Sequence, residues 1–446
     1  MVNSGLGASP GLKILHVIAK SYPSLNGYTV RSHEMFKAQK KTGVVLPFAI
    51  TSPYYPKIKE MNEFVEIDNI SYYRTLPSRR VTIMENWKNY SMIQKLILYP
   101  FRLFRELLYE RSLIIDFQRN IESLTEEENP DILHAHTPFK VGLPTMRVAR
   151  KLRKPFIYEV RGLWEESAIS RGRFTKWNLR YWRFRFMENR VMRSADRVFC
   201  LSNTMKEQLI RRGLDRRKIS IIRNGAPEEY LEEKRQKELN LDLGQDSSLL
   251  RIKEIANSKS IIGYVGSVQK YEGLEDLVDA VGKMISNKRK VHLLIISNGD
   301  NKKYLEEICG KEQICRDVTI VGPIPRNKIR EYYREIDIIA IPRLGGSTMA
   351  RVVTPLKPME ALALGIPLVI SDTPAIRELV GEGNATLFES GNIPELYQKL
   401  CITIDDKEAT KEMVERGIRW IRNRGTWEIS AKETLREYNK LIQSWN

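Results

Sequence analysis

The chain has 446 residues, of which 42% are hydrophobic and 29% are charged. That length exceeds what one hydrophobic core supports, so we expect two domains of roughly 200 residues each. The net charge of +18 and the pI of about 9.6 predict attraction to something anionic: nucleic acid, an acidic membrane surface or a phosphorylated substrate. The apolar runs are too short for a membrane-spanning helix, and the N-terminus lacks the pattern of an export signal.

Cysteine and histidine are sparse. The four cysteines, Cys200, Cys309, Cys315 and Cys401, form no Cys-x-x-Cys pair. We therefore expect reduced core thiols in a cytoplasmic protein. The five histidines are scattered along the chain, so we expect no structural zinc site.

The first half of the chain alternates between strand and helix patterns. A lead-in rich in Gly and Ser covers residues 1–11, and the apolar run 12–19 predicts the first strand. A turn-rich loop with Asn26 and Gly27 follows, before a helix that carries Arg31 in its first turns. This Asn-Gly pair is either a simple tight turn or a place where the backbone approaches a ligand closely.

Two predicted strands of this half end in polar side chains. His136 ends one of them, and Arg161 ends the next, followed by the acidic pair Glu165 and Glu166. Ligands of open α/β sheets bind outside the carboxyl ends of the strands, so these residues are candidates to line a ligand site. A histidine at a strand end is also commonly structural, and both interpretations stay open.

Two segments combine basic, aromatic and aliphatic residues. Residues 81–121 have helical apolar spacing, and we expect Pro100 to kink or split the helix. Residues 147–193 hold fourteen Lys and Arg but four acidic residues, with aromatics interleaved. Such helices lie on an anionic bilayer, stack nucleic-acid bases, or simply pack on a sheet with a solvated basic face.

The strand and helix alternation restarts after residue 258, which indicates a second sheet. We predict an α/β protein with two facing doubly wound, Rossmann-like domains and an interdomain cleft. The expected domains are residues 1–225 and 226–425, and the last helix, within 426–446, is expected to cross back to the first domain.

The segment 354–365 joins a loop to a short helix after a buried strand. Pro358 suits the start of a helix, and Gly365 suits its end. Free N–H groups and the helix dipole favour a phosphate here, which Lys357 can neutralise. Glu360 can accept hydrogen bonds from a ribose diol. The alternative is an ordinary helix start, with Lys357 solvated and Glu360 facing the dipole.

From residue 12 onward the chain resembles the family 4 glycosyltransferases, which have the GT-B fold. The resemblance rests on short motifs in the family's order: Asn26-Gly-Tyr28, Asp131-Ile-Leu-His-Ala-His136, Leu201-Ser202, Arg223-Asn-Gly225, Tyr264-Val-Gly266, Asn298-Gly-Asp300, Val321-Gly-Pro-Ile-Pro325 and the segment 354–365. Residues 158–165, 271–274 and 354–358 are similar to a bacterial subgroup found with exopolysaccharide and exosortase systems.

The resemblance implies a retaining transfer of a hexosyl group from a nucleoside diphosphate sugar, most often a UDP-sugar, without a metal or other cofactor. The implied acceptor is a saccharide or a lipid-linked molecule in cell-surface polysaccharide synthesis, and contact with an anionic inner membrane face is compatible with it. No nucleic-acid partner is expected.

The resemblance also assigns residues. The implied catalytic residues are His136, Arg161, Lys357 and Glu360. The implied donor-binding residues are Asn26, Gly27, Gly266, Ser267, Asn298, Pro323, Ile324, Arg343, Arg351, Thr354, Pro355, Leu356, Lys357 and Glu360, and those of the acceptor side are Arg31, Glu165 and Glu166. Within this set Glu360 takes the ribose, and Lys357 and the backbone N–H groups of residues 354–356 hold the diphosphate.

Two departures from the family pattern remove ordinary donor contacts. Val352 stands where members commonly carry a glutamate, and Ser267 and Glu272 stand where they carry an arginine and a lysine. We hypothesise that Lys357, with Arg351 or Arg343, replaces the missing cations. The alternatives are a GT-B scaffold subunit without catalysis, a basic nucleic-acid-binding protein and a sugar-nucleotide epimerase on the same fold.

Overall fold

A computed structural model describes residues 11–22, 24, 26–54, 62–76, 91–173, 175–232, 247–297, 302–326 and 328–445. Most of the N-terminal lead-in, residues 81–90 of the first basic segment and Asn298 of the predicted donor site lie outside these described residues.

The first sheet contains eight strands. They are β1 (Leu12–Ile18), β2 (Val45–Thr51), β3 (Phe64–Ile67), β4 (Ile70–Arg74), β5 (Ile132–His136), β6 (Phe156–Val160), β7 (Arg197–Cys200) and β8 (Ile219–Ile221). Their order is β3-β4-β2-β1-β5-β6-β7-β8, and every neighbouring pair is parallel except the β3–β4 hairpin. We call this sheet and its helices the N-terminal domain.

The second sheet contains six parallel strands and defines the C-terminal domain. They are β9 (Ser260–Val265), β10 (Val291–Ile296), β11 (Val318–Val321), β12 (Ile338–Ile341), β13 (Leu368–Asp372) and β14 (Thr386–Glu389). The order β11-β10-β9-β12-β13-β14 is that of a dinucleotide-binding doubly wound sheet. Successive strands are added on one side of β9 up to β11 and on the other side from β12 onward. The loops after β9 and β12 therefore flank the crevice in which such sheets bind ligands.

Helices connect the strands and cover the sheets. They are α1 (Gly27–Lys41), α2 (Met92–Glu128), α3 (Phe139–Lys151), α4 (Trp164–Ser170), α5 (Leu179–Ser194), α6 (Asn203–Arg211), α7 (Glu229–Glu232), α8 (Ser247–Ala256), α9 (Leu274–Ser286), α10 (Lys302–Lys311), α11 (Ile329–Arg334), α12 (Thr348–Val352), α13 (Lys357–Leu364), α14 (Pro374–Val380), α15 (Ile393–Asp405), α16 (Lys407–Arg424) and α17 (Trp427–Trp445). None of those in the described part of the chain combines the length and the apolar character needed to cross a bilayer.

The prediction that Pro100 splits the first basic helix is wrong, because α2 runs through it for 37 residues. A proline removes one intrahelical hydrogen bond, whereas the later turns of α2 are anchored in the core by Phe117 and Ile121, both fully buried. Packing of the second half therefore outweighs the local penalty.

Each face of the first sheet packs on its own helix layer, as the alternation of side chains along β1 dictates. Leu15 and Val17 join a cluster with Phe117 of α2. Ile14 and Ile18 face the other way, into a cluster that includes Tyr438 of α17. The last helix thus packs on the N-terminal domain, where it contacts α1.

Glu188 of α5 lies among apolar side chains of the first core and is 4% exposed. Its carboxyl oxygens accept hydrogen bonds from the backbone N–H of Phe139 at 2.7 Å and from the hydroxyl of Tyr158 at 2.6 Å. Burial disfavours the charged form and raises the pKa of Glu188 to about 8.

The raised pKa predicts a stability that depends on pH. Between the ordinary value of 4.5 and about 8, the folded state holds more protons than the unfolded state. The free energy of unfolding should therefore fall as pH rises through this window, by up to roughly 1 kcal/mol per pH unit from this group. Urea unfolding of the Glu188→Gln variant should show a flatter profile, and Glu127→Gln, at an exposed position of α2, should keep the wild-type slope. Equal slopes in all three proteins would contradict the assignment.

Candidate active site

A cleft separates the two domains and encloses a cavity of about 260 Å³. Its lining comes from the carboxyl ends of strands and the following helix starts, which is where open α/β sheets bind ligands. The N-terminal domain contributes Gly27, Tyr28, Arg31, Thr137, Arg161, Gly162, Leu163, Trp164, Ser167, Arg171, Leu201 and Asn224, and the C-terminal domain contributes Met349, Val353, Thr354, Pro355 and Leu356.

The C-terminal wall of the cavity leads directly into α13. Lys357 is the first helical residue, and Pro358 follows it where its missing N–H costs nothing. The helix ends at Gly365, whose φ of 69° lies in the left-handed region that glycine tolerates. The N–H groups of Thr354 and Leu356 have no acceptor among the described residues, so they remain available to a ligand. Pro355 has no N–H, which corrects the expectation that every residue from 354 to 356 donates.

Lys357 is held over the loop that follows β9. Its Nζ donates to the Tyr264 hydroxyl at 2.7 Å and to a carboxylate oxygen of Glu272 at 2.9 Å, and it lies 4.2 Å from the centre of the Tyr264 ring. A Cβ on Gly266 would come within 2.0 Å of the Lys357 side chain, so only glycine allows this approach. Lys357 is therefore not solvated, because both the aromatic ring and the carboxylate fix its ammonium group.

The carboxylate of Glu272 neutralises the charge of Lys357, which burial deprives of solvent. It is 5% exposed, and burial by itself would raise its pKa, but Lys357 and Arg343 hold the pKa below its usual value. Burial is in turn the main reason that the pKa of Lys357 is lowered. A buried ion pair thus stands at the start of α13.

The expected contribution of Arg343 and Arg351 needs correction. Arg343 is 4% exposed, and its guanidinium donates to the carbonyl of Val353 at 2.7 Å and lies 3.7 Å from Glu272. It supports the cavity wall from behind. Arg351 is exposed on α12 and does not line the cavity. Lys357 directly follows the cavity-lining residues Thr354, Pro355 and Leu356 in the chain.

Glu360 lies one turn into α13 and is engaged on both oxygens. One accepts from the Tyr333 hydroxyl at 3.1 Å, and the other lies 3.5 Å from Arg326. Arg326 also reaches Glu34 of α1 at 3.2 Å, so the three side chains connect the two domains. Desolvation lowers the pKa of Arg326, but Glu360 and Glu34 outweigh it, and the net direction is upward.

The N-terminal wall rests on a buried charge cluster around Glu159. One of its oxygens accepts from Arg31 at 2.6 and 2.9 Å and from Arg161 at 3.3 Å. The other lies 2.9 Å from Nδ1 of His136. Two guanidinium groups share one carboxylate, and both line the cavity, so this wall carries a net positive charge.

His136 does not reach the cavity, contrary to the expectation that it touches a bound sugar. It is 1% exposed beneath Arg161, whose guanidinium lies 2.8 Å from its Nδ1. Burial and the neighbouring arginine lower its pKa well below 6.5, so it is neutral. Its place in the structure is that of a residue that positions Arg161.

Three of the five histidines, which come from two separate strands, meet in space. The ring nitrogens of His16, His134 and His136 lie within 4.8 Å of one another. His16 bonds to His136 and to Gln39, both at 3.0 Å, and His134 bonds to Tyr438 at 2.8 Å. These hydrogen bonds join β1 and β5 to α1 and α17, so the three histidines belong to a buried hydrogen-bond network.

Of the residues predicted for the acceptor side, Arg31 lines the cavity, whereas the acidic pair does not. Glu165 is fully buried and pairs with Arg212 at 2.6 Å, and Glu166 accepts from the Tyr181 hydroxyl at 2.8 Å. Both point into the packing of α4 instead of the cleft. The cavity residues of that helix are Trp164 and Ser167.

The remaining predicted donor residues lie around the same crevice. Asn26 caps α1 by accepting from the N–H groups of Tyr28 and Thr29, which places Gly27 on the cavity wall. Ser267 is exposed after β9, and Pro323 and Ile324 follow β11.

Asn224 connects the two domains, although the sequence analysis named it only as part of the Arg-Asn-Gly motif. Its amide donates to the carbonyl of Thr354 at 2.8 Å and accepts from Arg31 at 2.6 Å. The side chains that sequence reasoning missed are Glu159, Arg326, Tyr333 and, as the partner of Lys357, Tyr264. Most of their partners lie tens to hundreds of residues away, as Arg31 does from Glu159 and Lys357 from Tyr264, so only the Tyr-Val-Gly and Arg-Asn-Gly motifs gave any signal.

Comparisons with known proteins agree with this geometry. Residues 77–230 match the family described as Glycosyltransferase Family 4, and residues 259–406 match that described as Glycosyl transferases group 1. The chain is 23% identical to an uncharacterized glycosyltransferase of Methanocaldococcus jannaschii, over 50% of this chain and 54% of that protein. It is also 23% identical to the capsular polysaccharide biosynthesis glycosyltransferase CapM of Staphylococcus aureus, over 72% of this chain and 79% of that protein. The chain thus spans about half the length of the first relative.

Solved structures share the fold. Sucrose-phosphate synthase from Thermosynechococcus elongatus superimposes with a TM-score of 0.72 at 15% identity, over 97% of this chain and 100% of that one. Anabaena HepE in complex with UDP-glucose superimposes with a TM-score of 0.65 at 15% identity, over 97% of this chain and 100% of that one. Two parallel-sheet domains on either side of a cleft place the protein in the GT-B fold class. One of the two family matches lies in each domain of this fold.

Proposed function

We propose that the protein is a retaining, metal-independent glycosyltransferase that moves a hexosyl group from a nucleoside diphosphate sugar of the UDP-sugar type. The acceptor would be a saccharide or a lipid-linked molecule in cell-surface polysaccharide synthesis. The observation that carries the proposal is the start of α13, where Lys357 directly follows the cavity-lining residues Thr354 and Leu356, whose N–H groups have no acceptor among the described residues. A cation and a helix N-terminus together favour a diphosphate.

In this proposal the donor lies along the C-terminal wall. Lys357 and the two N–H groups hold the diphosphate, and Glu360 accepts from the ribose hydroxyls after exchanging its contact with Arg326. The base lies against the loop after β11, near Pro323 and Ile324. The subgroup resemblance and the printed name of the CapM relative support a polysaccharide role.

The N-terminal wall would hold the sugar and the acceptor. Arg31 and Arg161 carry one positive charge more than Glu159 neutralises, which suits the leaving diphosphate or an anionic acceptor. The departing diphosphate would take the proton of the acceptor hydroxyl while the new glycosidic bond forms on the same face of the sugar. Stabilising charge on that leaving group is then the main catalytic contribution. A neutral, buried His136 is consistent with a reaction that uses no histidine base.

The test is a panel of UDP-, GDP- and ADP-sugars, each followed by calorimetry and by release of the nucleoside diphosphate. We expect one donor to bind and to be slowly hydrolysed in the presence of a chelator. Absence of binding at millimolar concentration across the panel would overturn the proposal.

A scaffold role is the second candidate, because Val352 replaces a common acidic residue and Glu272 already neutralises Lys357. The same calorimetry separates the two: a scaffold binds no donor, whereas an enzyme binds and turns over at least one. Tight, salt-sensitive binding of an oligonucleotide would instead favour the nucleic-acid alternative.

A further inference from the structure

Helix α5 turns an apolar stripe toward solvent. Leu179, Trp182 and Phe186 recur at the spacing of one helix face, and they are 83, 55 and 65% exposed. The opposite face is buried in the domain core through Tyr181 and Val191. The helix therefore has two apolar faces. The inner face is buried in the core, whereas the outer face makes no such contribution to folding.

Helix α2 presents a matching stripe. Phe101, Phe104 and Leu108 have the same spacing and are 66, 61 and 49% exposed. Single exposed apolar residues are normal on a protein surface, but two parallel stripes of large side chains are not.

The two helices are linked by ion pairs, and each keeps its stripe on a side that faces solvent. Both pack on α3. Ion pairs join them at successive turns, Arg180 with Glu106 at 2.7 Å and Arg183 with Glu110. We call the patch formed by Phe101, Phe104, Leu108, Leu179, Trp182 and Phe186 the α2–α5 surface.

Basic residues surround the α2–α5 surface. Between Arg171 and Arg193 the chain has eight Lys and Arg and one acidic residue. That acidic residue is Glu188, which is buried and points into the core. Trp177, at the start of this segment, is 94% exposed. Two of these basic residues, Arg180 and Arg183, pair with Glu106 and Glu110 of α2, and the segment keeps an excess of positive charge beyond those pairs.

We propose that the α2–α5 surface docks onto an anionic lipid bilayer. Leucine and phenylalanine side chains enter the acyl boundary, tryptophan belongs at the headgroup level, and the arginines attract anionic headgroups. A nucleic acid would stack on the aromatic faces but would leave the exposed leucines Leu108 and Leu179 without an apolar partner. The apolar character of the stripes together with their positive surroundings favours a membrane over both nucleic acid and a soluble acidic protein.

The docking surface adjoins the acceptor side of the cleft. Arg171, which follows α4, lines the cavity, and Trp177 comes six residues later in the chain. Docking through α2 and α5 would bring this end of the cavity close to the headgroups. An acceptor anchored in the bilayer could then reach the cleft, an extension that rests on the proposed function, whereas the docking itself does not.

Co-flotation of the full chain with vesicles tests the proposal. We use phosphatidylcholine vesicles with and without phosphatidylglycerol, at low and at high salt. The wild type should float with the anionic vesicles at low salt and much less with the neutral ones. The double variant Trp182→Ser with Phe186→Ser should lower the partition coefficient roughly tenfold or more. The matched control is Leu250→Ser with Ile402→Ser, which changes two comparably exposed apolar side chains of the C-terminal domain and should float as the wild type does.

Three results would overturn the docking proposal: no flotation of the wild type with anionic vesicles at low salt, equal losses in the patch and control variants, or a wild-type dimer that the patch variant abolishes. Thermal unfolding of each variant shows whether the fold is kept. Hydrolysis of a soluble nucleotide sugar should be unchanged by the patch substitutions, so failure of the docking proposal and failure of the donor assignment give different results.

Discussion

Replacing Lys357 with alanine is expected to lower donor affinity roughly tenfold to a hundredfold, the range of a hydrogen bond to a charged group. The lysine is positioned in advance, because Tyr264 and Glu272 hold its ammonium at 2.7 and 2.9 Å. Isothermal calorimetry with the donor identified in the panel measures the effect. Lys283→Ala, at an exposed position of α9, is the matched control and should bind as the wild type does.

The partner Glu272 provides a sharper version of the same test. Lys357 and Glu272 touch, so exchanging them through Lys357→Glu with Glu272→Lys leaves one ammonium within a few ångströms of its original place. The double exchange should recover most of the affinity that Lys357→Ala loses. Because burial lowers the pKa of Lys357, wild-type affinity should also fall as pH rises through that lowered value. Normal affinity in Lys357→Ala would refute the assignment of the phosphate site, and no recovery in the exchange would refute the role of charge position.

Glu159→Gln is expected to destabilise the protein by roughly 3–5 kcal/mol, because it leaves two buried guanidinium groups without a carboxylate. Glu159 is 3% exposed, and it pairs with Arg31 and Arg161, which are 3 and 8% exposed. Burial alone would raise its pKa, but Arg161, Arg31 and His136 hold the pKa well below 4.5. Its stabilising contribution is therefore present above about 4.5 and is lost as pH falls toward the lowered folded value.

Urea unfolding near neutral pH measures this effect, and the exposed Glu127→Gln serves as control, with a change expected within about 0.5 kcal/mol. If Glu159→Gln does not fold, the double variant Arg31→Leu with Glu159→Gln remains informative. Removing one of the two unpaired cations should restore part of the stability, so the two changes should be strongly non-additive. A stable Glu159→Gln protein, or a double variant less stable than the single one, would contradict the cluster.

The sequence predicted the fold well, because each strand and helix is encoded over a few adjacent residues. Alternating strand and helix patterns indicated two doubly wound units, and the structure has two such sheets. The exception is α2, which continues through Pro100, since packing of its second half outweighs one lost hydrogen bond.

The sequence also predicted the short helix of this segment, which the structure has over Lys357–Leu364 with Gly365 after its end. Motif order placed Gly27, Gly266 and Arg161 near the crevice. These positions follow from chain connectivity, because residues at the ends of parallel strands meet at the same sheet edge.

The side-chain partners were decided by tertiary structure alone. Glu165 and His136 carry the right chemistry at the right strand ends, yet one turns into the packing of α4 and the other lies beneath Arg161. Lys357 was expected to neutralise a phosphate, with a solvated side chain as the alternative, and it pairs with Glu272, 85 residues earlier in the chain. Local sequence determines which backbone elements form, whereas the direction and ionisation of a buried polar side chain depend on charges brought to it by distant parts of the chain. In a low-dielectric interior those charges dominate.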